Sequence, residues 1–129
     1  MNESILSTIK DMLDVDVDPE EDEIGEFDNI LIININTVFS ILNQMGVGTD
    51  EPFVITGYDE TWDQFIGEAT GIEMVKTYIY LKVKMMFDPP SGAQKEANEN
   101  VIKELEYRLY VLEDFRKGAM NNESWWLLL

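Results

Sequence analysis

Apolar residues recur at three- and four-residue spacings along most of this chain, the period of helices with one buried face. Ile5, Leu6, Ile9, Met12 and Leu13 predict a first helix over about residues 3–13, with Ser4 or Asn2 as its cap. Phe27, Leu31, Ile35, Val38, Leu42 and Met45 are spaced 4, 4, 3, 4, 3 and predict a second over about 24–45. Gly46 stands where a glycine closes a helix. The β-branched run at 30–33 would suit a strand. The helical period, however, continues for about 18 residues, well past a typical strand of about 5–6.

Residues 46–58 hold three glycines and a proline and read as a loop, whose centre, Phe53, Val54 and Ile55, could pair as a short strand. Residues 59–67 read as a short helix capped by Asp59 and anchored by Trp62, Phe65 and Ile66. Thr70 and Glu73 form a capping-box pattern opening a helix that runs to about Phe87, where Pro89 stops it. Its near-continuous apolar and aromatic sequence marks it as the central helix. Ser91 and Gln94 form a second such pattern. The helix they open carries a seam of Ile102, Leu105, Leu109 and Leu112, flanked by Val101 and Tyr107, and should end near Lys117 with Gly118 as its stop. These elements predict an all-α fold: a small bundle of four to five helices with an extended acidic linker, a Gly-rich loop and an extended C-terminal tail. The expected division is a helical domain over 1–118 and a tail over 119–129.

Charge changes this picture in one place. The chain has 129 residues and a net charge of −17. Residues 1–70 carry 17 acids against one base, Lys10, whereas residues 71–129 carry 9 acids against 8 bases. The densest stretch, Asp14 to Asp28, holds nine acids in fifteen residues and no base. Like charges at that density repel, so the stretch should be extended and solvated.

The residue types that are missing limit the chemistry. With no Cys there is no disulfide, zinc thiolate or Cys nucleophile. With no His, the commonest general base and most transition-metal sites are gone. Asp14, Asp16 and Asp18 match the first three ligand positions of a calcium loop, but Pro19 and Gly25 stand where that loop requires Gly and Glu. No phosphate-binding glycine motif is present. The expectation is therefore no catalytic residues, no metal and no cofactor. The N-terminus lacks the pattern of a signal peptide, and no apolar run approaches a membrane span. Lys76, Lys82 and Lys84 read as a solvated edge, or as a basic face for an acidic neighbour such as residues 14–28 of another copy. Trp125, Trp126, Leu127, Leu128 and Leu129 are an unusual exposed end. Buried against a partner, they could contribute about 7–15 kcal/mol before ordering costs.

Three segments carry a resemblance: ITGYDETWDQFIG at 55–67, GIEMVKTYIYLKVKMMFDPP at 71–90 and ANENVIKELEYRL at 97–109. A helix ending in FDPP, followed by one bearing ELEYRL and preceded by a Trp-containing short helix, resembles the head–tail adaptor (connector, head-completion) proteins of tailed bacteriophages. The residues that carry it are Trp62, Phe65, Phe87, Asp88, Pro89, Pro90, Glu104, Leu105, Glu106, Arg108 and Leu109. The resemblance implies a structural virion protein of the neck, assembled in the host bacterial cytoplasm. Copies would form a ring under the portal protein, with portal symmetry implying twelve, and meet the next neck or tail-terminator protein. DNA would pass through without specific binding, and no membrane is involved. Residues 125–129 would then dock on the portal, and Asp14, Asp16, Asp18, Glu20, Glu21, Asp22 and Glu23 would face the channel or its rim, where carboxylates repel DNA. Two other readings fit the composition: an acidic DNA mimic that inhibits a nucleic-acid-binding protein, and a regulatory module that docks through its tail.

Overall fold

The computed structural model describes residues 3–14, 25–66 and 71–121, excluding the side chains of Glu26 and of 113–121. Five helices follow one another: α1 (Ile5–Met12), α2 (Glu26–Gln44), α3 (Trp62–Phe65), α4 (Ile72–Phe87) and α5 (Gly92–Asn121). Among the described residues there is no strand, so the all-α expectation holds. The apolar run at 30–33 is helical, and Phe53–Ile55 forms no strand.

The caps show why the elements begin and end where they do. Ser4 caps α1, its hydroxyl accepting from the Ser7 N–H. Beyond α1, Asp14 adopts a left-handed conformation (φ 61°), which a short polar side chain tolerates. At the end of α2, the Gly46 N–H donates to the Asn43 carbonyl and the Val47 N–H to the Leu42 carbonyl. That pair of bonds is a Schellman closure, with Gly46 supplying the positive φ it needs.

Four sequence expectations are corrected. Thr61, not Asp59, caps α3: its hydroxyl accepts from the Gln64 N–H while the Gln64 side chain accepts from the Thr61 N–H. The N-cap of α4 is Gly71, at φ 96°, one residue later than the Thr70 box requires. Gly118 does not stop α5, which continues through it to Asn121, about 45 Å in all. Nothing in the local chain forbids a glycine in a helix that is already formed; its penalty is only about 1 kcal/mol. Met12 and Phe27 lie on the exposed side of their helices rather than in the core.

α4 is central, as its sequence predicts: it packs against both α2 and α5, and α1 leans on it. Phe27 at the start of α2 meets Phe87 at the end of α4 edge-on. The core joins Ile5, Leu6 and Ile9 of α1, Leu31, Ile35, Val38 and Leu42 of α2, Val75, Tyr78 and Ile79 of α4, and Ile102, Leu105 and Leu109 of α5. The segment between α2 and α4 closes one side. Its Phe53 and Phe65 cluster with Phe39 of α2, the rings edge-on or tilted to one another with centroids 4.6–5.4 Å apart.

Candidate functional site

The acidic stretch springs from a buried, charged anchor. Lys10 Nζ lies 2.6 Å from Asp28 Oδ1 and donates to the Tyr58 hydroxyl at 2.7 Å; that hydroxyl donates to Asp28 Oδ2 at 2.9 Å. Asp28 Oδ2 also accepts from the Gly25 N–H. Lys10 and Asp28 are both buried. Burial opposes the Lys10 charge, but the bonds to Asp28 and Tyr58 outweigh it and raise its pKa above the usual 10.5. For Asp28, burial is likewise outweighed by Lys10, the Gly25 N–H and Tyr58, and its pKa falls below the usual 3.8. Burial raises the Tyr58 phenol.

This anchor ties the end of α1 to the start of α2 and to the loop before α3, bracketing residues 15–24. It occupies Lys10, the one base of residues 1–70. Sequence periodicity overlooked the cluster, although one signal was present: Lys10 follows Leu6 by four residues and so shares its buried face.

The residues expected to form functional surfaces are placed as follows. Asp14 is exposed at the end of α1. Asp16, Asp18, Glu20, Glu21, Asp22 and Glu23 lie outside the described residues, as do Trp125, Trp126, Leu127, Leu128 and Leu129. The three lysines do not form a free basic face. Lys76 sits over the Trp62 ring and near Glu3 and Glu73, Lys84 pairs with Asp88, and Lys82 lines a groove between α4 and α5. That groove, about 340 Å³, has apolar walls from Ile41, Met85 and Ile102, and Lys82 and Lys103 balance Glu99 and Glu106 around it. Among the described residues, no group of three or more acids is gathered to hold a metal ion, and no helix is long and apolar enough to cross a membrane.

The motif residues are mostly structural. Trp62 is buried and donates from Nε1 to the Thr8 hydroxyl at 3.0 Å. Phe65 is buried in the phenylalanine cluster. Asp88 is the C-cap of α4, and the exposed Pro89 follows it out of the helix. The Pro90 ring is half-buried. In ELEYRL, Leu105 and Leu109 face the core, Glu104 pairs with Arg108 along the surface, and Glu106 accepts from the buried Tyr78 hydroxyl at 2.8 Å. Burial and that bond hold the Tyr78 phenol well above its usual range.

The helices also leave apolar residues uncovered, which the sequence periods did not anticipate. Ile30 and Ile33 project from α2, and Val101, Tyr107, Tyr110 and Val111 from α5. The signal was an absence: residues 29–49 contain no charged side chain, so α2 has no charged face to mark its solvent side.

Comparison with known proteins gives one result. A family model described as phage connector protein matches residues 5–115, from the first residue of α1 into the second half of α5. No curated protein and no solved structure matches. The match takes in α1 to α4, most of α5 and every residue of the FDPP and ELEYRL motifs, so the chain belongs to the phage connector protein family.

Proposed function

We propose that this chain is a structural protein of the phage neck, forming a ring that joins the capsid portal to the tail and extends the DNA channel. The observation that carries this reading is the family match across residues 5–115. The charge distribution supports it. A conduit must let DNA pass without holding it; lysines on its wall would bind the backbone, whereas carboxylates repel it over about 8 Å at physiological salt. In this reading Asp14 and the acids at 16–23 face the channel or its rim. Residues 125–129, in the tail beyond the helical domain, grip the portal protein, and another surface receives the next neck protein or tail terminator.

The test is a pull-down from infected-cell lysate with the intact chain and with a chain cut after Asn121, which preserves α5. The portal protein should come down with the first and be lost with the second. Capture of a nuclease, polymerase or repressor in its place would overturn the reading. For the acidic rim, reversing Asp16, Asp18, Glu20 and Glu21 to Lys should impair DNA ejection or retention; normal infectivity would remove that role.

A further inference from the structure

Two faces of the molecule are free of net charge, and they lie on different flanks of α4. On α2 no charged residue occurs from Asn29 to Thr49. The solvent side of that helix is a stripe of Ile30, Ile33, Thr37, Ser40 and Gln44, about 21 Å long, with Ile33 65% exposed. On α5 the charges of residues 101–111 cancel, and Glu104 and Arg108 neutralise one another at 2.8 Å. That helix presents Tyr107 and Tyr110, 70% and 61% exposed, beside Val111.

We infer that the contact between neighbouring copies is made by the uncharged stripe of α2 on one copy against the tyrosine face of α5 on the next. The inference rests on the ring reading above and names its subunit interface. The occupant follows from charge. Copies that each carry −17 repel one another, so the faces that meet must be those without net charge, and the described helices offer these two. Their chemistry also matches. Exposed tyrosines bring apolar area with a polar tip, as at protein interfaces, and the hydroxyls and amide of the α2 stripe can exchange hydrogen bonds with the phenols. Because the two faces differ, the contact is head-to-tail, the type that closes into a ring when the rotation permits.

The chain contains no Cys, so thiol cross-linking can test this in virions of the encoding phage. Virions are prepared with Ile33→Cys, with Tyr107→Cys, with both, and with Ile33→Cys plus Glu51→Cys as a control, then treated with a flexible bis-maleimide. All three positions are exposed, so the fold tolerates the changes. The Ile33→Cys/Tyr107→Cys protein should give bands at successive multiples of the chain mass, and neither single variant should. Virions that contain the chain but give no ladder overturn the interface and leave the ring reading standing. So does an equal ladder from the control pair, or a cross-link from Ile33→Cys to the portal protein. Virions without the chain overturn both. As a second measurement, Ile33→Lys and Tyr107→Glu should each lower the copies per virion, and the combination should restore them; failure of the pair to restore copies lost in both single variants counts against the contact.

Discussion

Ser4 and Thr61 each cap a helix, and they also face one another across an antiparallel bridge. Both have the extended backbone that a cap requires, which is also the geometry a bridge requires. The first helical N–H of α1, at Ile5, donates to the Glu60 carbonyl, and that of α3, at Trp62, donates to the Glu3 carbonyl. Each helix start thus satisfies a donor that the other helix would leave orphaned. Thr61→Ala and Ser4→Ala should each cost about 1 kcal/mol. Because the sites touch, the double variant should depart from the sum, by chemical denaturation. Thr61→Ser should stay near the parent.

Lys10→Met should be among the most damaging single changes, at about 3 kcal/mol, since it leaves the Asp28 carboxylate buried without its cation. The pair also predicts a pH dependence. Asp28 has a lowered folded pKa, so its contribution is present above the usual 3.8 and is lost as pH falls below that value. Lys10 has a raised folded pKa, so its contribution is present below 10.5 and is lost as pH rises further. Denaturation midpoints across pH should show both limbs. In Lys10→Met the Asp28 share of the acid limb should shrink, because the carboxyl is no longer held below its unfolded pKa and its protonation no longer penalises the folded state.

Asn36 holds the loop before α3 against α2 as a strand would. Its Nδ2 donates to the Ile55 carbonyl at 3.0 Å, and its Oδ1 accepts from the Ile55 N–H at 2.8 Å. Asn36→Ala should cost about 2 kcal/mol by leaving both backbone groups without that partner. Amide exchange at Ile55 should accelerate more than at Leu31. Asn36→Asp keeps the acceptor and should lose the smaller part of the protection.

Gly48 has φ 94°, and a Cβ there would stand 2.5 Å from Cε1 of Phe65. Gly48→Ala therefore combines a left-handed backbone with a clash against the phenylalanine cluster, and should destabilise by about 2 kcal/mol or more. In the background of Phe65→Leu, which removes the ring, the added penalty of Gly48→Ala should shrink but not vanish, since the backbone conformation remains. Thermal unfolding of the four proteins checks this.

The cause of each correction is visible in these residues. Periodicity located α1, α2, α4 and α5 because a repeated burial pattern is averaged over many positions. It misplaced the α3 cap because Asp59 and Thr61 are both good caps, and the choice falls to Thr61, whose backbone pairs with Ser4 from 57 residues away. Gly118 read as a stop because a glycine tolerates the conformation that ends helices, but the same residue is accepted within a helix at a small penalty.

By itself, then, the sequence determined the helical class, the central place of α4, the concentration of acid in the first half and the motifs of the phage connector family. Each depends on composition or on neighbours a few residues apart. Only the tertiary structure decided that Lys10 is drawn inward to Asp28 and Tyr58, that Asn36 substitutes for a strand partner, and that Ile30, Ile33, Tyr107 and Tyr110 stay uncovered. The physical reason is that burial depends on what packs against a face. A helix that is uncharged on all sides, as α2 is after Asn29, does not specify which side its neighbours will cover.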